Sequence, residues 1–408
     1  MGIRHFYGWN IVGAVFVMAL WSFGLGFYGV GVYVGALQER HAWSASAVSA
    51  PVTAYFVAGA LWTAGIARLY ERLGPRAIVT AGSAALAAGV ASLGVVARPW
   101  QLYPAFLLMS AGWGAMSGAA INIILAPWFE RRRGLAISIA FNGATLGGVL
   151  VASPLISLIG AVGLPRALAM AALAMLAVMV GVALGILRRG PDDIGLGPDG
   201  DSRGAAPARP TAGVGHRWPG DAVRTWRFWS VSAPFALGLM AQVGVLTHLV
   251  ALVSAALGAG GAARAVAGTT AAALVGRLAT GIVADRMNRR LIASATLLVQ
   301  MAGLGALTWA ASPAGIYAGC ALFGLGVGNL TTLPGLILAA EWPRERFSAL
   351  VGLAVGINQF AFAFGPSIVG LVRDWSGTRG PALAICAALE LIAAVVVALG
   401  PGRQTSTR

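Results

Sequence analysis

The sequence predicts an all-α membrane protein whose twelve transmembrane helices form two pseudo-symmetric bundles of six. Three observations predict it. The 408 residues are 58% hydrophobic and only 10% charged, too little charge to cover a soluble domain of this length. Apolar stretches of about 20 residues, enough to cross a bilayer, recur along the whole chain. The polar gaps also repeat. "GIARLYERLGPRA" follows the second stretch and "GIVADRMNRRL" the eighth, while "WFERRRGLA" follows the fourth and "EWPRERFSA" the tenth.

Broken at charge and turn residues, the apolar runs lie near 9–36, 46–67, 77–97, 101–127, 134–158, 164–187, 228–256, 264–284, 291–311, 313–339, 347–372 and 381–400. We number them spans 1–12. The first run follows a basic start but is too long for a signal peptide and lacks a small-residue cleavage site, so it reads as a retained helix. Between spans 6 and 7 the chain is rich in Gly, Pro and charge with no apolar period, which predicts a flexible cytosolic linker over 188–226. The expected domains are therefore 1–187 and 227–408 around that linker. Repeated halves of six helices suit alternating access.

Charge sets the orientation. The formal net charge is +15 and every basic side chain of the Lys/Arg class is Arg. These arginines cluster in short gaps, not on one soluble face, which argues against a nucleic-acid partner. With both termini inside, the cytosolic side receives Arg4, Arg68, Arg72, Arg76, Arg131, Arg132, Arg133, Arg286, Arg289, Arg290, Arg344, Arg346, Arg403 and Arg408; the other side receives only Arg40, Arg98, Arg166, Arg264, Arg373 and Arg379. That bias predicts cytoplasmic termini. Cys320 and Cys386 both lie inside apolar runs, so no disulfide framework is implied. Trp9, Trp100, Trp128 and Trp342 fall at span ends and read as interfacial anchors.

Three ionisable groups lie well inside spans: His248, Arg277 and Glu390. An arginine at a helix centre costs about 2.5–3.5 kcal/mol on insertion scales, so Arg277 should face a cavity, a partner or a ligand. Snorkelling is difficult, because Asp285 at the helix end is about 12 Å away along the axis. The guanidinium is a permanent planar fork that grips a carboxylate through two parallel hydrogen bonds. His248 suits either donation to a carboxylate or a packing hydrogen bond. Glu390, in span 12, reads as structural or lipid-edge, with proton coupling the alternative.

These motifs resemble the major facilitator superfamily over the whole chain. "GRLATGIVADRMNRR" is similar to its Gly–Asp–Arg loop signature; in the first-half copy Ala67 replaces the usual Asp. "YGW" at 7–9, "WFERRRGLAISIAFNGATLGG" at 128–148 and "FGPSIVGLVRDWSGT" at 364–378 resemble the monocarboxylate-transporter and oxalate/formate-exchanger branch. The resemblance implies that Arg277 binds the substrate carboxylate between the halves, and that Asp285, Arg286, Arg131, Arg132 and Arg133 serve topology and the cytosolic gate. It also shows departures. Animal members carry an Asp four residues before the span 8 arginine, where this chain has Ala273; the oxalate exchanger uses a span 11 lysine, where this chain has Asn358 and Gln359. A monocarboxylate thus fits better than a dicarboxylate. A proton, if coupled, runs through His248, Glu390 or the substrate's own acid group.

Polar groups that could complete a binding site are Tyr28 and Tyr33 in span 1, Ser117 and Asn122 in span 4, Asn142 in span 5, and Asn329, Thr331 and Thr332 in span 10. Each serves equally well as an interhelical bond. Gly143, Gly147 and Gly148 suit close helix packing. A chain without lysine has no nucleotide-binding P-loop, so the expected activity is secondary transport of a small organic anion, with no cofactor or metal. The rival is proton-coupled efflux of lipophilic compounds, opposed by the lack of an intramembrane carboxylate in the first half. A membrane enzyme or sensor is opposed by the lack of an acid–base or metal cluster and of a signalling domain. A monomer in a bacterial-type inner membrane completes the expectation.

Overall fold

The computed structural model describes residues 6–188, 190–200, 220–283, 287–342 and 344–401, with backbone alone for 344–349. No β-strand occurs among them. Among the described residues, ten helices are long and apolar enough to cross a membrane: Gly8–His41, Ala45–Leu93, Pro99–Leu125, Arg133–Val162, Leu164–Gly185, Trp226–Val283, Arg289–Trp309, Pro313–Glu341, Leu350–Ser376 and Gly380–Leu399. Two of these, with 49 and 58 residues, are each more than twice the length that a bilayer needs. Each divides at one glycine whose positive φ no side chain adopts cheaply, Gly74 (φ 78°, ψ 165°) and Gly258 (φ 66°, ψ 177°). The glycines split spans 2 and 3, and 7 and 8, and so restore the twelve predicted crossings.

The chain forms two compact units. The first comprises Met1–Ala36 and Ala54–Pro210; the second comprises Leu37–Thr53 and Thr211–Arg408. In the first unit, spans 1 and 5 pack backbone to backbone. A side chain at Gly143 would strike the carbonyl of Phe16, and one at Gly147 the carbonyl of Leu20 and the nitrogen of Gly24. Both spans widen here into single π-helical turns, Gly24–Tyr28 and Gly148–Ala152, a feature that concentrates at functional sites.

In the second unit the matching pair, spans 7 and 11, also meets through glycines: a side chain at Gly365 would strike the carbonyl of Met240 and the nitrogen of Gly244. Arg290 ties several helix ends together. Its side chain is 3% exposed and grips Glu341 twice, Nε to Oε1 at 2.6 Å and Nη2 to Oε2 at 2.9 Å. Nη1 donates to Ser230 Oγ at 3.1 Å and to the carbonyl of Val397 at 3.2 Å. Arg227 stands over the Trp342 ring at 4.8 Å. Arg290 is therefore a buried clamp.

Two expectations change. The linker is not flexible from its first residue: residues 190–200 dock on the first unit. There Asp199 Oδ2 accepts the N–H groups of Glu130 (3.0 Å) and Arg131 (2.8 Å), and its own N–H donates to the carbonyl of Trp128 (2.9 Å). Trp128 is not an interfacial anchor. It is fully buried, with the Phe6 and Tyr7 rings 6.3 and 5.7 Å away. Trp100, by contrast, is 61% exposed.

Candidate functional site

Spans 8 and 10 of the second unit touch closely. A side chain at Gly276 would strike the carbonyl of Leu325, and one at Gly324 the carbonyl of Thr269. Just past this contact span 10 breaks: helix Pro313–Gly326 ends, Gly328 turns left-handed (φ 92°, ψ −26°), and helix Asn329–Glu341 begins with no side-chain cap at Gly328. Arg277, one residue beyond Gly276, lays its half-buried guanidinium against this break; a methyl group on Gly328 would come within 2.5 Å of its Nη2. Asn329 is 2% exposed, donates Nδ2 to the carbonyl of Leu325 at 3.2 Å, and keeps a buried Oδ1 with no partner among the described residues. A permanent cation thus meets the positive end of a half-helix, a combination suited to an anion. Thr331 and Thr332 bond back to the carbonyls of Gly328 and Asn329.

Span 4 breaks at the corresponding place in the first unit. Ser117 is extended (φ −80°, ψ −166°) between helices Leu102–Met116 and Gly118–Leu125. The freed carbonyls of Ala115 and Met116 accept the Tyr70 hydroxyl (2.7 Å) and Ser22 Oγ (3.1 Å). Asn122 donates Nδ2 to the carbonyl of Gly118 at 2.8 Å, and Asn142 is half-buried on span 5. Tyr28, half-buried, lies in the π-helical turn of span 1. Tyr33 departs from its expected role: it is fully buried and its hydroxyl donates to the carbonyl of Leu25 at 3.0 Å, so it braces span 1 and reaches no open surface.

His248 is fully buried and both ring nitrogens are engaged. Nδ1 lies 3.0 Å from Arg373 Nη1 and Nε2 3.0 Å from the carbonyl of Pro366. A guanidinium only donates, so Nδ1 accepts and the ring proton on Nε2 goes to Pro366. The ring joins span 7 to span 11 and has no nitrogen to spare for a ligand. Next along span 11, Asp374 accepts the N–H groups of Ala45 and Ser46, each at 2.7 Å. Sequence reading missed both Arg373 and Asp374, whose partners are 125 and more than 300 residues away.

Glu390 is not at a lipid edge. It is fully buried, and neither carboxyl oxygen has a partner among the described residues; a methyl group on Gly238 of span 7 would lie 3.3 Å from Oε2. Asn358 is 4% exposed, its Oδ1 without a partner among the described residues, and Gln359 is half-buried. Arg131, Arg132 and Arg133 are exposed, with Arg131 Nε 3.8 Å from Asp199. Asp285 and Arg286 lie outside the described residues.

Discontinuous apolar helices, with an arginine set at a helix break, define an integral membrane transporter. The chain belongs to the Major Facilitator Superfamily, whose family model matches residues 16–328 and 253–407. Among known proteins it is similar to a putative anionic 4-hydroxy-benzoate permease of Thauera aromatica, 38% identical over 110 residues, a match that spans 27% of this chain and 66% of the relative. It is also similar to the agnestins efflux protein AgnL12 of Paecilomyces divaricatus, 25% identical over 341 residues, 81% of this chain and 71% of that protein. Among solved structures, a bacterial homolog of the human lysosomal transporter Spinster, inward-facing and occupied, matches with a TM-score of 0.73 at 16% identity, covering 97% of this chain and 95% of that one. The nucleoside transporter NupG matches with a TM-score of 0.75 at 11% identity, covering 95% and 99%. Identities this low establish the shared fold alone.

Proposed function

We propose that this transporter carries a small organic anion, a monocarboxylate, by alternating access, with Arg277 gripping the carboxylate. The observation that carries the reading is the guanidinium of Arg277 lying against Gly328, where a half-helix begins. A carboxylate there would meet a bidentate donor and the first-turn N–H groups of Asn329–Glu341 together. The resemblance to the monocarboxylate branch and the anionic permease among the relatives support the same class. His248 keeps a bracing role in this reading, while Asn329, Asn358 and Gln359 supply polar contacts. The arginine bias favours an inner membrane with cytoplasmic termini.

Counterflow in proteoliposomes with a panel of small carboxylates tests it. Wild type should exchange the substrate acid, Arg277→Ala should abolish exchange, and Arg277→Lys should retain only a small part, because an ammonium cannot form the fork. Exchange of neutral or cationic compounds indifferent to Arg277→Ala would overturn the anion reading and favour lipophilic efflux. Imposing a pH gradient decides separately whether a proton accompanies the acid.

A further inference from the structure

The second unit holds a row of buried acceptor oxygens that meet no donor. Glu390 Oε1 and Oε2, Gln300 Oε1 and Asn329 Oδ1 have no hydrogen-bond partner among the described residues, and all three residues are buried. The amide donors beside them point elsewhere. Gln300 Nε2 donates to Gln242 Oε1 at 2.9 Å, and Asn329 Nδ2 to the carbonyl of Leu325 at 3.2 Å.

The row follows the helices in order. A methyl group on Gly238 of span 7 would meet Glu390 Oε2, Leu297 of span 9 and Leu330 of span 10. One turn along the same three helices stand Gln242, Gln300 and Gly326, where a methyl group would lie 2.5 Å from Gln300 Nε2. Two residues past Gly326 is Gly328, against which Arg277 lies. Leu330 and Gly328 are also two residues apart, so the Glu390 carboxyl and the Arg277 guanidinium are on the order of 10 Å apart.

The other charged groups of the surrounding helices are engaged with one another or with backbone. Spans 7, 9 and 11 pack on span 12, and span 10 reaches Glu390 through Leu330. Arg290 of span 9 grips Glu341 of span 10, His248 of span 7 meets Arg373 of span 11, and Asp374 takes the N–H groups of Ala45 and Ser46. On span 12 itself, Arg379 donates to the carbonyl of Ala310 at 3.0 Å, and Cys386, one turn from Glu390, is a buried thiol.

We propose that Glu390 is a proton-binding site linked to the anion site, so that each carboxylate taken up at Arg277 brings one proton onto Glu390. With no anion at Arg277, the guanidinium charge supports a carboxylate at Glu390. A bound anion cancels that charge and leaves two negative charges in one dry bundle. A proton from water then forms an O–H bond on the Glu390 carboxylate, and it returns to water when the anion leaves. Such linkage is reciprocal, and at this separation each event favours the other about tenfold. The acceptor row supplies hydrogen-bond partners for the proton on its way. The anion half rests on the reading of Arg277 above; the titration of Glu390 and its response to the Arg277 charge do not.

Infrared spectra of the purified protein in proteoliposomes test it without a substrate. The carboxylic-acid C=O band lost in Glu390→Gln belongs to Glu390. In wild type it should disappear reversibly between about pH 5 and 10. It should persist to about one pH unit higher in Arg277→Ala and behave as wild type in Arg277→Lys, which keeps the charge. No such band, a band unchanged over the whole range, or one indifferent to Arg277→Ala overturns the proposal; the wild-type titration decides even if a variant fails to fold. Labelled lactate, butyrate and benzoate give the transport readout: wild type should accumulate under a pH gradient the acid that it exchanges, and Glu390→Gln should exchange that acid without accumulating it. An unresponsive band with counterflow abolished by Arg277→Ala defeats the proton site and spares the anion reading. A band that follows the Arg277 charge, with counterflow indifferent to Arg277→Ala, defeats the anion reading and spares the proton site.

Discussion

The guanidinium of Arg277 lies against the backbone of Gly328, so closely that a methyl group there would come within 2.5 Å of Nη2. The same glycine holds φ at 92°. Alanine at this position would bear the left-handed strain, about 1–2 kcal/mol, and would also push the guanidinium away from the helix start. Gly328→Ala should therefore fold with a lowered unfolding temperature and need at least about tenfold more carboxylate for half-maximal counterflow, the equivalent of about 1.4 kcal/mol. An unchanged concentration dependence would mean that Gly328 does not position the fork.

How much of this was legible depends on the range of the interaction. The spans were legible because each needs about 20 apolar residues in a row, and Arg277 was legible because a charge amid lipid-soluble neighbours is costly. The breaks at Ser117 and Gly328 were not, since neither a serine nor a glycine in an apolar run announces non-helical backbone. Tyr33 and His248 looked like ligand groups because their partners, the carbonyls of Leu25 and Pro366, are backbone atoms that no side-chain pattern reveals. Trp128 was misjudged because the rings that pack on it, Phe6 and Tyr7, lie some 120 residues earlier in the chain.

Asp374 holds the first turn of Ala45–Leu93. Its two carboxylate oxygens take the N–H groups of Ala45 and Ser46, each at 2.7 Å, donors that a helix start otherwise leaves unmet. Thr53 and Ser367 add a hydroxyl pair at 2.7 Å further along the same contact. Loss of such a cap costs about 0.5–2 kcal/mol. Asp374→Ala should speed hydrogen exchange at Ala45 and Ser46 by about tenfold, and Asp374→Asn, which keeps one acceptor, by less. Exchange that does not change would show that the segment 37–53 is held by its other contacts.

The Arg290–Glu341 pair should be costly to break and cheap to replace. With the two side chains 3% and 6% exposed, removing one partner leaves a buried charge, worth about 3–5 kcal/mol. Glu341→Leu alone should lower the unfolding temperature of the purified protein more than Arg290→Met and Glu341→Leu together. Purely additive losses in that double-mutant cycle would contradict the pairing.

Glu390 presents the opposite case, a carboxyl with no partner among the described residues to lose. It is fully buried beside Gly238, and a methyl group on that glycine would meet Oε2 at 3.3 Å, Leu297 Cδ2 at 2.7 Å and Leu330 Cδ1 at 3.2 Å. Shape there is constrained from three helices, while charge is answered by no described cation. Glu390→Gln keeps the shape and removes the ionisable group, so it should stay within about 1 kcal/mol of wild type in stability and retain counterflow exchange. Gly238→Val, which keeps the carboxyl and crowds it, should do more damage than Glu390→Gln. The two transport assays then separate packing from coupling, because exchange needs no net proton movement whereas gradient-driven uptake does. If Glu390→Gln exchanges normally but no longer responds to a pH gradient, the buried carboxyl carries the proton, and its packing environment is what isolates that proton from water.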